Sequence, residues 1–243
     1  MDPRRVLSVP LAVGVVLLVV AVPGAKQQAA AQTTASPRFV RNITNRYFPL
    51  QPGTTFYYRG EKDGVPSSNI VEVTDQIKRI QGVDTTVVHD RVFERNVLVE
   101  DTFDWYALDS KGNVWYFGED SKELAPDGTV ISTEGSWQAG VNGARAGIIM
   151  EANPHVGDRY FQEFAQDVAE DQAQVLSVNK TTCVRYGCFD DLLLTKEFSR
   201  LSPGEVEHKY YAPDVGFILG VLVKGGNERT ELVRITHGQP LQR

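Results

Sequence analysis

The chain has 243 residues, with 25 basic and 31 acidic side chains, a formal charge of −6, and only two cysteines and four histidines. That acidic balance repels a phosphate backbone and supplies no counterion-release term, so no nucleic-acid partner is expected. No long basic amphipathic segment is present for anionic lipid, and the length suits one well-buried domain.

The first 31 residues have the character of an export signal. Asp2, Pro3, Arg4 and Arg5 form a charged start, an apolar run extends from Val6 to Val22, and Ala29, Ala30 and Ala31 offer a small-residue cleavage site before Gln32. The run is about long enough for an uncleaved anchor, but Pro10 and Gly14 interrupt it. The expectation is a cleavable signal over 1–31, no stable membrane insertion after cleavage, and a secreted or extracytoplasmic location by bacterial-type export. Cleavage takes away Arg4, Arg5 and Lys26 on one side and Asp2 on the other, leaving 22 basic against 30 acidic side chains, a formal charge of −8. No cysteine lies near residue 31 to carry a lipid.

Residues 32–40 read as a flexible polar leader and 41–243 as a single β-rich domain. After a Pro49–Gly53 turn, strand-like segments follow at 54–59, at Ile70, Val71, Val73 and Ile77, and at 85–88. Two more fall at 97–107 and 113–117. Asp63-Gly64, Gln81-Gly82, Lys111-Gly112-Asn113 and Asp127-Gly128 place glycine where the chain must reverse, and Arg95-Asn96 reads as a turn of the same sort without glycine. Such close spacing argues for an antiparallel meander.

Within 100–107 the period of two separates Asp101, Phe103, Trp105 and Ala107 from Glu100, Thr102, Asp104 and Tyr106. The first set is the expected inward face. Residues 118–158 are less regular, broken by Gly135, Gly140, Gly143 and Gly147, and are expected to cover an open end of a curved sheet. The stretch 158–177 suits either a helix or two strands, at 159–164 and 173–178, with strands favoured by the β-like chain on both sides. The pattern resumes at 192–197 and 205–211. A last hairpin joins 215–223 to 230–235 through Lys224-Gly225-Gly226-Asn227.

Local motifs of chemistry are missing. There is no His-Glu-x-x-His, no Gly-x-Ser-x-Gly elbow and no Gly-rich phosphate loop. His155 with Asp158 or Glu163 is the candidate acid–base group, against the alternative of solvated loop residues. Asp101, Asp104, Asp109, Glu119, Asp120 and Asp127 gather around two reversals and offer oxygens to calcium, although their spacing is not that of an EF-hand loop. Turn and surface acids are the alternative, and no cofactor is expected. Trp105, Tyr106, Trp115, Tyr116 and Phe117 are candidates to line a concavity, with Trp137 from a covering loop and Tyr210 and Tyr211 from the C-terminal sheet. Plain core packing explains the same residues. Cys183 and Cys188, separated by four residues, are expected to form a local disulfide after export.

The passages Lys209-Tyr210-Tyr211-Ala212-Pro213-Asp214-Val215-Gly216 and Asp104-Trp105-Tyr106-Ala107, the latter continuing to Gly112–Glu119, resemble exported bacterial proteins with a lipoprotein-carrier-like, half-open β-barrel. The resemblance implies a strongly curved antiparallel sheet with a lipid-like ligand on its concave face, and carries over no catalytic residue. The chain is therefore expected to be mainly β, a curved sheet or half-open barrel with covering loops and room for one short helix. Its expected function is noncatalytic, extracytoplasmic binding of an apolar or amphipathic small molecule. A secreted hydrolase or lyase using His155 and nearby carboxylates is the first alternative, and a protein-interaction or structural domain the second.

Overall fold

A computed structural model describes residues 38–40 and 42–238. The expected signal segment and most of the expected leader lie outside the described residues. Every regular element described is a strand; the room left for a short helix is not used.

β1 (Phe39–Val40) is followed by a small hairpin of β2 (Ile43–Asn45) and β3 (Phe48–Leu50). A meander of long strands comes next: β4 (Thr54–Lys62), β5 (Val65–Ile80), β6 (Val83–Glu94), β7 (Val97–Asp109) and β8 (Val114–Leu124). The middle of the chain holds shorter pieces, β9 (Val130–Ser132), β10 (Trp137–Gln138), β11 (Arg145–Met150), β12 (Arg159–Phe161) and β13 (Glu163–Phe164). A second meander ends it: β14 (Asp171–Val184), β15 (Gly187–Ser199), β16 (Val206–Ala212), β17 (Gly216–Lys224) and β18 (Glu228–His237).

Turn chemistry dictates the meander. Asp63 and Gly64 (φ 49° and 81°), Gln81 and Gly82 (49° and 82°), and Arg95 and Asn96 (50° and 66°) each place two successive residues in the left-handed region. That is the two-residue turn whose twist matches antiparallel strands. Thirteen strands form one path, β12-β14-β15-β16-β17-β18-β4-β5-β6-β7-β8-β11-β13, antiparallel throughout, with β18 joined to β4 so that the two meanders become one sheet.

The two ends of that path, β12 and β13, are neighbours in sequence with only Gln162 between them. Gln162 is buried and its N–H donates to the Asp171 carbonyl at 2.8 Å. On one side of it β12 pairs with β14; on the other β13 pairs with β11. One kinked segment therefore stitches both edges, and the sheet is a nearly closed barrel. Gly147 of β11 lies against this seam, where a Cβ would run into the main chain of Phe161 and Gln162. The helix alternative for 158–177 fails here. Between β13 and β14 the chain makes only a tight reversal, with Asp167 at φ 58° and Ala165 bridged to Ala169. Pairing to distant strands outweighs the helical composition of that stretch.

The inward face of β7 is also the reverse of the expected one. The Phe48 ring lies 5.4 Å from Tyr106 and 6.4 Å from Tyr211 on the far wall, which places both tyrosines inside the barrel. Thr102 and Asp104 share that face with Tyr106. Trp105 and Ala107 are buried on the outer side, in a second apolar cluster with Ile80, Val87 and Phe117. Both faces of β7 are covered, so alternation alone could not tell them apart.

One half of the interior is a filled apolar core. Ile43, Tyr47 and Leu50 of the β2–β3 hairpin meet Phe56, Val73 and Leu193 there, and each fully buried aliphatic of this kind is worth about 1.5–3 kcal/mol. The β17–β18 ladder covers only Leu219–Val221 against Arg229–Glu231. Beyond it the β14–β15 turn docks on β18, the Tyr186 N–H donating to the Leu232 carbonyl at 3.1 Å. That turn is closed by the Cys183–Cys188 disulfide.

Candidate functional site

The other half of the interior is polar. On one wall, successive rungs of the sheet align Asp90 with Thr102 and Ser121, then Val88 with Asp104 and Glu119, then Thr86 with Tyr106 and Tyr116. On the facing wall the rungs are Ala173, Glu197 and Glu207, then Val175, Thr195, Lys209 and Gly220. Trp137 of β10 sits beside Glu119, edge-on to Tyr116 at 5.4 Å, and its Nε1–H donates to Glu163 Oε2 at 2.9 Å.

Two hydrogen-bond networks organise these groups. In the first, the Tyr116 hydroxyl is 2.6 Å from Asp104 Oδ1 and 3.0 Å from Glu119 Oε2, with the Tyr106 ring stacked on Tyr116 at 4.7 Å. A phenol has one proton to give, so bonding both carboxylates needs a further proton on one of them. Burial, with the charge of Glu119 adding to it, pushes the Asp104 carboxyl up to about 7. Burial and then Glu163 push Glu119 up to about 8. Burial and Asp171 take Glu163 to about 8, and burial and Asp104 take Asp90 to about 8. Asp90 is held only loosely, with Asn69 Nδ2 at 3.4 Å from one oxygen and no hydrogen-bond partner on the other.

In the second network, Glu197 accepts from the Tyr211 hydroxyl and the Thr195 hydroxyl, both at 2.9 Å, and pairs with Lys209 Nζ at 2.8 Å. Glu207 lies 3.5 Å from the same ammonium. Burial alone would lower the Lys209 pKa, but Glu197 and Glu207 outweigh it and hold the ammonium well above its ordinary value. Glu163 feels the charge of both Asp104 and Lys209, one from each network.

The lumen opens at the end carrying the 63–64, 95–96 and 225–227 turns. One cavity of about 370 Å³ there is lined by Asn69, Val92, Glu100 and Glu123, and another of about 280 Å³ by Asp171, Glu197, Glu207 and Lys209. Lys62 and Glu228, paired at 3.9 Å, border both. Apolar side chains stand at this rim, with Ile131 65 % exposed and Val97 and Val223 also exposed.

Of the sequence-derived ligand candidates, Tyr106, Tyr116, Trp137 and Tyr211 meet in or beside the lumen. Trp105 lies on the outer side with Lys78 Nζ over its ring at 3.2 Å. Trp115 donates to Asp109 at 2.9 Å and packs with Phe117 around Phe39. Tyr210 points away from Tyr211 on the same strand. The carboxylates proposed for calcium are likewise dispersed. Asp104 and Glu119 are in the lumen, while Asp101 is bound to His89 Nε2 at 2.6 Å. Asp109 and Asp127 cap turns through the N–H groups of Lys111, Asn113 and Thr129, and Asp120 pairs with Lys122. Among the described residues no three metal-ligating side chains converge to hold an ion.

Of the acid–base candidates, His155 and Asp158 meet, and Glu163 lies apart from them. His155 is in an exposed loop, its N–H donating to Asp158 Oδ2 at 2.7 Å and its ring Nδ1 3.5 Å from the same oxygen. Glu163 is engaged with Trp137 inside the barrel. Sequence reasoning passed over Asp90, Glu197, Glu207 and Lys209. The signal for two of them was the alternation Glu207, Lys209, Tyr211 along β16, where a charged pair shares the face of a buried tyrosine.

No protein-family model matches the chain, and no curated protein matches it. Among solved structures, the chain is similar to a protein from Parabacteroides distasonis ATCC 8503 inferred to be a lipoprotein. The identity is 11 % and the TM-score 0.45, over 79 % of this chain and 99 % of that one.

Proposed function

We propose that this protein is an extracytoplasmic binding protein. It holds, without transforming, an amphipathic small molecule whose positively charged group enters the lumen while its apolar part rests at the mouth. The observation that carries this reading is the excess of buried carboxyls over ammonium on the walls of the barrel's polar half: Asp90, Asp104 and Glu119 on one side, Glu197 and Glu207 on the other, with Glu163 at the seam and Lys209 as their buried cation. An amine or amidine entering the lumen gains charge-assisted hydrogen bonds and the faces of stacked Tyr106 and Tyr116. Exposed Ile131, Val97 and Val223 supply contact area for an apolar portion.

The Cys183–Cys188 disulfide supports an oxidising compartment. His155 meets Asp158 only in an exposed loop, apart from Glu163, which is bound to Trp137, and this favours binding over the acid–base reading. Native mass spectrometry of the protein purified without detergent tests the proposal. Release of a basic, amphipathic organic mass on denaturation is expected. An anionic or wholly nonionic mass bound stoichiometrically would contradict the charge assignment.

A further inference from the structure

A second charged feature lies on the outer side of the barrel, beside the mouth of the lumen, with which it shares Gly60, Ser67, Ser68 and Asn69. A groove of about 1090 Å³ runs along β4, β5 and β18 and is lined by Arg59, Arg95, Arg185, Arg229 and Arg234, with Glu61 and Glu231 as its acidic residues. Five guanidiniums against two carboxylates leave a local excess of positive charge on a chain whose net charge is −6.

Each arginine is placed by a separate device. Arg59 alternates outward with Tyr57 and Glu61 on β4. A bulge between Leu232 and Arg234 re-aims Arg234, so that it opposes Tyr57 and its guanidinium lies 3.8 Å from that ring. Arg95 occupies the first left-handed position of its turn, φ 50°, as Asp63 and Gln81 do in theirs, with Asn96 where those turns have glycine. Arg185 stands in the disulfide-closed turn docked on β18. Glu231 divides its two oxygens, one 3.1 Å from Arg185 Nε and one 3.2 Å from Arg229 Nη2, which fixes both guanidiniums without neutralising both. Among the described residues, Arg59, Arg95 and Arg234 have no carboxylate partner.

We propose that this groove is a binding site for a compact polyanion carrying two or more phosphate groups. Arginine forks match phosphate oxygens bidentately, and no lysine lines the groove. The side chains converge from four separate elements onto a concave surface. That arrangement suits a compact anion with several charged groups, whereas a flat lipid surface asks for a convex basic face. The volume exceeds what one carboxylate or one phosphate needs.

The test is calorimetric titration of the full chain with inorganic tripolyphosphate at about 0.15 M salt, with orthophosphate as the single-phosphate comparison. Saturable one-site binding of tripolyphosphate is expected, with orthophosphate weaker by at least about tenfold. The double variant R59Q/R234Q is expected to lose at least about tenfold in affinity. R59K/R234K, which keeps the charge and loses the fork, falls between it and the parent. R79Q, which removes an exposed arginine elsewhere, paired with Asp84 at 2.8 Å, is expected to bind as the parent does. Absence of saturable binding to the parent chain, or an equal loss in R79Q, would overturn the proposal. So would binding to phosphatidylglycerol vesicles without binding to tripolyphosphate, which would assign the groove to a membrane surface.

Discussion

Tyr116 has one proton and two carboxylates within reach of it, and that arithmetic sets the pH behaviour of the lumen. Asp104, at about 7, and Asp90, Glu119 and Glu163, at about 8, hold protons in the fold that an unfolded carboxyl releases near pH 4. The folded state therefore binds more protons than the unfolded one between about pH 4 and 8, and its stability falls as pH rises through that window. Glu170 works in the opposite sense: the hydrogen bonds and charge of Arg200 hold it down to about 2, a contribution present above about pH 4 and lost as pH falls toward 2. Thermal denaturation is expected to show its highest midpoint near pH 4–5 and a decline toward about pH 9. D104N/E119Q should flatten that decline, and an unchanged slope would show that these carboxyls titrate normally. Tyr116→Phe removes the shared hydroxyl and is expected to cost about 1–3 kcal/mol at pH 8. The cost should be smaller at pH 5, where the two carboxyls can share protons without it; denaturant unfolding at both pH values measures the difference.

At the scale of elements, the barrel depends on a seam one residue wide. Gly147→Ala places a methyl against the main chain of Phe161 and Gln162, and overpacking of this kind costs about 1–3 kcal/mol. Gly204→Ala, with open space around it, is the matched control and should shift the urea midpoint little. Equal effects would mean that the seam carries no special strain. Reducing or removing the Cys183–Cys188 ring, as in C183S/C188S, frees a closed loop of six residues and is expected to cost about 2 kcal/mol, read from the same curves. The hairpins were legible in the chain because their turns are local: Asp63-Gly64, Gln81-Gly82 and Arg95-Asn96 announce themselves by residue type. The seam was not legible. Nothing within 159–164 says that its first half pairs with β14 and its second with β11, since both partners are distant in sequence. The faces of β7 were ambiguous for a related reason, because Trp105 and Tyr106 are both covered and only the position of Phe48 tells inside from outside. Half of the aromatic candidates consequently lie outside the lumen. Glu197 and Lys209 bond to each other on neighbouring strands, a pairing that depends on register and not on spacing.

At the largest scale, the described domain is a nearly closed barrel filled at one half and polar at the other. The apolar half secures the fold, with the β2–β3 hairpin packed into the core. The polar half keeps carboxylates at a density that would be costly unless protons, Lys209 or a bound cation offset it. A cation entering the lumen should therefore displace protons. The most direct measurement is calorimetric titration with octylammonium and with octyl sulfate, at pH 7 in two buffers of different ionisation enthalpy. Saturable binding of octylammonium with net proton release, weakened at least about tenfold in D104N/E119Q and not matched by octyl sulfate, is the expected result. Equal or tighter binding of octyl sulfate, or octylammonium binding with no proton release and no response to D104N/E119Q, would contradict a lumen built for a cationic amphipathic ligand.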